Sequence, residues 1–451
     1  MPNVGSYYFS NTELSIITSL FIYRCGTAEQ ITYMIQPELA KNLTIKKDEV
    51  KGYSGRTKYI ARLLHNLAER NLVTTMKTPH SMRLIYFLTQ EGLNCAYTIL
   101  GIEEHSASLA SGWSGDFGYF DYHLYKPSVE RFMHHNLSVN FHIQMLYYAS
   151  FKNFHYEFID NRYASREFTL VKEGKKMKRF FRPDGEFKIN DIYHYWIEID
   201  MSTERGEKLA DKFESYRDYL DVITEGIPFS EMNETPHTII FHSSAIYIAA
   251  RWKSVLNAFI TKMKHFTGLI NFRLTNNSTL EHAVVAELSR EEHQNKVLKN
   301  LQFYLMKEEG FLGLPDTRTQ KPNFIKLLPS DEKALGWSPN IIIVDKSDGT
   351  KQILLFERFE GMESIGLARI LDFNKKFKSL EIGKTEHIKE IIPVLYFFDV
   401  VPNAQSYTMT SVEIDLRGIF NKLILHDAKN NLWLDGNDQS QIHTNPLMYR
   451  C

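Results

Sequence analysis

Apolar positions along the first stretch of the chain recur at helical spacing before giving way to strand spacing. Between Thr12 and Tyr23, Leu14, Ile17, Leu20 and Phe21 fall on one stripe of a helix. Gly26 interrupts the pattern. Thr27 with Gln30 three residues on then has the form of a capping box that opens a short second helix ending near Ile35. Ser54 is placed to cap a third helix whose inward face is Ile60, Leu63, Leu64 and Leu67. After Asn71 two β-rich stretches, Leu72 to Met76 and Leu84 to Leu88, flank a polar, basic connection from Lys77 to Arg83, and Thr89-Gln-Glu-Gly92 starts a closing helix.

Beyond a connector rich in glycine and aromatic residues, from Ser111 to Tyr125, the pattern predicts a helix over Val129–Ser150 with Leu137, Phe141, Met145 and Leu146 on its buried side. Strands are expected over His155–Ile159, Phe180–Ile189 and Ile192–Met201, the last two joined by a turn at Asn190-Asp191. A helix over Gly206–Asp221 and a strand over Thr238–Phe241 complete this run. From about Leu301 the order returns: a helix, strands over Ser338–Val344 and Gln352–Glu357, a helix over Met362–Leu380 and a strand over Ile391–Phe398. The tail after Ile414 alternates short apolar runs with Asn- and Asp-rich turns.

The first segment has the layout of a winged helix, and the whole reads as an α/β and α+β multidomain protein. The expected domains are a winged helix over residues 1–105, an α/β core over 126–290 and a second copy or accessory domain over 300–451. At 451 residues the chain is long enough for several cores. With 43% hydrophobic and 24% charged residues it is neither disordered nor repetitive. No apolar run reaches the roughly 18 to 20 residues of a membrane span, and the N-terminus lacks a signal-peptide layout, so a cytoplasmic protein is expected. Cys25, Cys95 and Cys451 are too scattered for a disulfide framework or a zinc knuckle.

A net charge of −1 excludes a protein that coats nucleic acid through overall charge. Locally the balance differs. Lys41 to Arg83 holds ten Lys or Arg against three acids, and Lys172 to Arg182 holds six against one. Arg56, Lys58, Arg62 and His65 on the third helix, with Lys77 and Arg83 flanking the wing, are therefore the expected contacts to double-stranded DNA. A small module used for dimerisation or protein contact has the same layout, and that reading stays open.

In the core, Pro183-Asp184 falls on the second strand, while Glu198 and Asp200 stand two apart on the third and project from one face. Helix, three strands, helix, strand is the order of the PD-(D/E)xK nuclease core, in which such acids hold a divalent metal beside the scissile phosphate. Like charges this close raise one another's pKa, and Mg²⁺ or Mn²⁺ would relieve the repulsion and activate water. The opposing reading is that Glu198 and Asp200 are solubilising charges on an edge strand and that Pro-Asp marks only a turn. The third-strand Lys of that pattern is replaced by Asp200. Lys212, one turn from Lys208 on the following helix, is the substitute cation. In the second copy Pro339-Asn340 stands for Pro183-Asp184 and Glu357 for Glu198, but Phe359 replaces Asp200, which predicts a nuclease-like domain without activity.

From Ser10 to Arg251 the sequence resembles the replication-relaxation family of mobile-element proteins and, through it, MobC-type plasmid relaxases. The resemblance rests on the winged-helix start, on His135-Asn-Leu-Ser-Val-Asn140, on Arg182-Pro-Asp-Gly185, and on Trp196-Ile-Glu-Ile-Asp-Met-Ser-Thr203 followed by Lys212-Phe-Glu-Ser-Tyr216. It implies DNA processing in plasmid or conjugative-element replication or transfer, with a nuclease-like fold instead of the tyrosine-based HUH relaxase fold. His135 and Asn140 carry over as motif positions, for chemistry or for packing. Tyr216 and Tyr219 are available as covalent nucleophiles or as core residues. Two functions remain: metal-dependent nicking with Asp184, Glu198, Asp200 and Lys212 as the catalytic set, or a non-catalytic DNA-binding regulator on a nuclease-like scaffold. Either implies plasmid or mobile-element origin DNA as partner, with a second copy of the chain or other replication and transfer proteins beside it.

Overall fold

A computed structural model describes residues 3–4, 7–43, 55–78, 81–104, 118–201, 206–225, 235–245, 248–288, 292, 295–299, 326–345, 349–385, 387–398, 416–436, 438 and 440–442. Ser54, the centre of the expected wing connection, residues 111–117 of the connector, the helix expected from Leu301 and Cys451 lie outside these residues.

The N-terminal module opens with a two-residue pair, β1 (Asn3–Val4) and β2 (Tyr7–Tyr8), followed by α1 (Asn11–Tyr23), β3 (Cys25–Gly26), α2 (Ala28–Ile35), α3 (Gly55–Glu69), β4 (Val73–Thr78), β5 (Ser81–Leu88) and α4 (Gln90–Leu100). Strands β3, β5 and β4 form a three-stranded antiparallel sheet. The capping box at α2 forms as its spacing predicts: Thr27 Oγ1 accepts from the Gln30 amide (3.2 Å) and Gln30 Oε1 accepts from the Thr27 amide (2.9 Å). Ile60, Leu64 and Leu67 of α3 are fully buried, with Leu63 at the margin of the same core.

After a short α5 (Tyr122–Tyr125), helix α6 (Phe132–Lys152) lies over one face of a five-stranded sheet. The core strands are β6 (Tyr156–Asp160), β9 (Gly185–Ile189), β10 (Tyr193–Asp200), β11 (Thr238–Ser243) and β12 (Asn271–Thr275), in spatial order β12-β11-β10-β9-β6. The β6-β9-β10 pairings are antiparallel, and β11 and β12 add in parallel. The hairpin turn falls where expected: Asn190 and Asp191 have φ of 52° and 56°, the paired positive values of a type I′ turn.

One expected strand divides in two. The stretch Phe180–Ile189 is broken at Pro183, which has no N–H to continue a ladder. Its first part belongs to a separate two-stranded ribbon, β7 (Arg166–Lys172) with β8 (Lys175–Phe181), inserted after the single-turn helix α7 (Asn161–Ala164).

Helices α8 (Glu207–Ile223) and α9 (Ala249–Met263) cover the other face of the sheet, and α10 (Leu280–Leu288) follows β12. A second sheet then forms from β13 (Asn340–Asp345), β14 (Lys351–Arg358), β15 (Ile388–Phe397), β16 (Ile424–Asp427), β17 (Leu432–Asp435) and β18 (Gln441–Ile442), with α11 (Pro329–Leu335) before it and α12 (Ile365–Lys376) between β14 and β15. Strands β13 to β16 repeat the senses of β9 to β12: one antiparallel pairing, then two parallel ones. The tail, read from sequence as apolar runs between turns, supplies β16, β17 and β18.

The two sheets share one apolar core, in which Phe213, Trp252, Phe259 and Phe272 meet Ile353, Leu355 and Phe373. At the seam the 362–364 segment runs beside β12: Ser364 N donates to Phe272 O (2.9 Å) and Leu274 N to Met362 O (3.1 Å). Glu363, fully buried, accepts from Arg358 (2.8 Å) and Asn271 (2.9 Å) and lies 3.1 Å from Arg273. Removing one member of a buried ion cluster strands the others in a low dielectric. We expect Glu363→Ala to cost about 3–5 kcal/mol in urea denaturation, with Glu363→Gln intermediate.

Candidate active site

The site forms where β9 and β10 part. Their ladder runs from Ile189↔Tyr193 to Gly185↔Ile197, whereas β10 continues through Glu198, Ile199 and Asp200 with only β11 beside it. Asp184 takes up the vacant edge. Its amide donates to Ile197 O (3.1 Å), and its Oδ2 accepts from the Ile199 amide (2.8 Å). Gly185 is required next to it, because a Cβ there would lie 2.6 Å from the Phe158 ring. Pro183-Asp184-Gly185 is thus a strand-ending device that aims a carboxylate across the end of the neighbouring strand.

Strand alternation directs Tyr195, Ile197 and Ile199 towards α6, and Trp196 towards α8 and α9 with Glu198 and Asp200 on the same side. Glu198 meets Lys212 of α8, with Nζ 2.6 Å from Oε2. Its Oε1 is buried and, among the described residues, takes no hydrogen bond. Burial, with the neighbouring Asp184 charge adding to it, pushes the Glu198 carboxyl well above the usual range, against the pull of Lys212. Burial acts on Asp184 in the same sense, but the His134 ring (3.1 Å), the Lys212 charge and the Ile199 N–H outweigh it and hold Asp184 below its ordinary value. Two adjoining carboxyls are therefore shifted in opposite directions, Glu198 upward and Asp184 downward.

Asp200 is not drawn into this pair. Both its oxygens accept from Arg251 of α9, Oδ2 from Nε and Oδ1 from Nη2, each at 2.8 Å and buried. Residues two apart on a strand share a face but stand about 6.6 Å apart, and α9 presents a guanidinium at the second position. Of the three acids, two converge and the third is held by Arg251. The cation from α8 is in contact as expected, and Lys208 is exposed.

His134 and Arg251 were not legible as site residues. Each meets its acid across 50 or 51 positions of sequence, and no local motif encodes that. His135 is half-buried, and desolvation of its ring pushes its pKa down to about 3, so it is neutral. Asn140 and Asn136 both accept from Gln30 Nε2 (2.9 Å each), tying α6 to the capping residue of α2. Tyr216 and Tyr219 are buried against Phe181 and Trp196 and are core residues.

Asp184, Glu198, Asp200 and Lys212 line a cleft of about 760 Å³ between the end of α1, the 123–131 segment and α6. Arg24, Lys126 and Arg131 line it too, together with Glu130 and Asp160. Elsewhere, Lys58, Arg62, His65, Lys77 and Arg83 are exposed and Arg56 is half-buried; Arg83 lies 3.7 Å from Glu29. Ligating atoms of the exposed His155, Glu157 and Asp191 lie within 4.8 Å of one another at the opposite end of β9 and β10.

Residues 18–226 match the family model for replication-relaxation. The replication-relaxation region is just under half of the chain; it contains Asp184, Glu198, Asp200 and Lys212 and ends before Arg251 and the second sheet. No curated protein and no solved structure matches the chain.

The second sheet keeps part of the arrangement. Glu357 on β14 has Arg369 of α12 at 3.8 Å, as Glu198 has Lys212, while the fully buried Phe359 stands at the Asp200 position; Asn340 pairs with Phe356 as Gly185 pairs with Ile197, so Pro339, and not Asn340 as the sequence suggested, stands level with Asp184. An acid–cation pair between strand and helix persists without the second carboxylate.

A carboxyl whose pKa is raised by folding contributes stability below its unfolded pKa and loses it as pH rises through the folded pKa. The strain at Glu198 is therefore present at neutral pH and absent near pH 4. Glu198→Gln should melt above the wild type at pH 7–8, with the gap closing towards pH 4 in paired thermal melts.

Proposed function

We propose that this chain is a metal-dependent DNA nicking protein, in which a winged helix locates duplex DNA and a PD-(D/E)xK-like core cuts it. The observation that carries the reading is the Asp184–Glu198 pair with Lys212, set in a cleft that Arg24, Lys126 and Arg131 also line. The order α6, β6, β9, β10, α8, β11, with antiparallel strands followed by a parallel one, supports a nuclease-type core. The order of α1, α2, α3, β4 and β5 supports a winged helix with α3 as recognition helix and β4–β5 as wing. The replication-relaxation match points to the replication or relaxation of plasmid or mobile-element DNA.

The residues fit a divalent cation. Glu198 Oε1 is a buried oxygen with a second carboxylate beside it, a position that asks for a proton or a metal. Asp184 and Glu198 would hold Mg²⁺ or Mn²⁺, and Asp200, occupied by Arg251, would brace the strand end instead. A bound cation supplies Lewis acidity at the phosphate and lowers the pKa of its water. The backbone bonds at Ile197 and Ile199 keep the Asp184 carboxylate aimed into the cleft. Lys212 pairs with Glu198 and would present a cation to a phosphate, and Arg24, Lys126 and Arg131, which line the same cleft, would contact the backbone.

A second reading, a non-catalytic DNA-binding regulator, is favoured by the Asp200–Arg251 pair, which leaves two acids instead of three to hold a cation. Relaxation of supercoiled plasmid from the encoding element, with Mg²⁺ or Mn²⁺, decides between them. Nicking by the wild type and a loss of at least about 100-fold in Asp184→Ala, with DNA binding intact, is the expected result. If neither protein nicks while both still shift DNA, the regulator reading replaces it. For the winged helix, Lys58→Ala and Arg62→Ala should each weaken duplex binding and lower the log–log salt slope by about 0.9.

A further inference from the structure

The β7–β8 ribbon plays no part in the cleft chemistry, yet it carries the second basic run of the sequence. It pairs with neither large sheet among the described residues. Its root is anchored: Phe168 and Phe181 are buried against Tyr219, Tyr216 and Trp196, and Arg166 pairs with the buried Glu186. Its far half has no such anchor. Lys172, Lys175, Lys176, Lys178 and Arg179 are exposed around a tight turn at Glu173-Gly174, where both residues have positive φ. Lys178 pairs with Glu167 (2.9 Å), leaving a strongly cationic tip.

A two-stranded ribbon is marginal in water without further packing, so a projecting one is costly to keep. Lysines on a strand edge guard against aggregation, but that task needs a charge or two along an edge, not a cluster on both faces of a tip. The alternation places Lys176 and Lys178 on one face and Lys172, Lys175 and Arg179 on the other. A seven-residue ribbon reaches about 23 Å and is of a width that a major groove admits. Chain continuity sets where its root lies: β8 passes through Phe181, Arg182 and Pro183 directly into Asp184. The root is thereby fixed beside Asp184, and whatever the tip grips is held within a ribbon length, about 23 Å, of the cleft.

We propose that the β7–β8 ribbon is a second DNA-contacting element, which binds the phosphate backbone of duplex DNA beside the cleft. This rests on the DNA-binding reading above. The test is binding of the full chain to a fluorescent duplex over a range of salt. It compares wild type, the tip variant Lys172→Ala/Lys175→Ala/Lys176→Ala, its Lys→Arg counterpart, and the α3 variant Lys58→Ala/Arg62→Ala. We expect the tip variant to bind more weakly at every salt concentration, with a log–log slope smaller by about 0.9 per lost contact and so by up to about 2.7, and the Arg counterpart to bind as wild type. An unchanged slope and affinity in the tip variant, while the α3 variant loses both, overturns the ribbon and leaves the DNA-binding reading standing. A wild type that binds no duplex overturns both.

Discussion

Strand β10 is buried on both faces and yet carries two carboxylates, and this constraint organises much of what surrounds it. A carboxylate without a partner in such a place costs several kcal/mol, so each must be met. Lys212 comes from α8 and Arg251 from α9, and these helices lie where the sheet needs covering anyway. The compensation is unequal. Arg251 satisfies both oxygens of Asp200, whereas Lys212 satisfies one oxygen of Glu198 and Asp184 crowds the other. The site is the place where compensation is left incomplete.

The N-terminal module is bound into this arrangement and does not hang from a linker. Arg162, next to β6, donates to Phe21 O (2.8 Å) at the end of α1 and also pairs with Asp160. Arg24 at that helix end has φ 64°, donates to Leu124 O and lies 3.9 Å from Asp160. With Gln30 holding Asn136 and Asn140, the cleft wall and the module's helices are packed together. A DNA-reading surface on α3 would be coupled to the acids through these contacts and not through a flexible tether.

The second sheet shows which parts of the design are structural. Its strand senses repeat those of the first, and its Glu357–Arg369 pair repeats Glu198–Lys212, but Pro339 and Phe359 stand at the positions of Asp184 and Asp200 and carry no charge. An acid paired with a helix cation is therefore compatible with pure scaffolding. What distinguishes the first sheet is the adjacent Asp184, brought in by the strand break at Pro183. The shared core and the buried Glu363 cluster join the two sheets so that the second buttresses the first.

Local chemistry alone determined a good deal: the helical stripes of α1, α3 and α6, the Thr27–Gln30 cap, the Asn190-Asp191 turn and the placement of Glu198 and Asp200 on one face. Each depends on contacts within a few residues, which periodicity and turn chemistry encode. The ribbon escaped because Phe180–Ile189 has strand composition throughout, and only Pro183 marks the change of sheet. The last three strands escaped because stretches of two to four residues are too short to show periodicity. The tertiary structure alone decided which charges meet. His134 reaches Asp184 and Arg251 reaches Asp200 across half a hundred residues. Such pairings follow from how helices close over a sheet, and residue spacing carries no record of that closure.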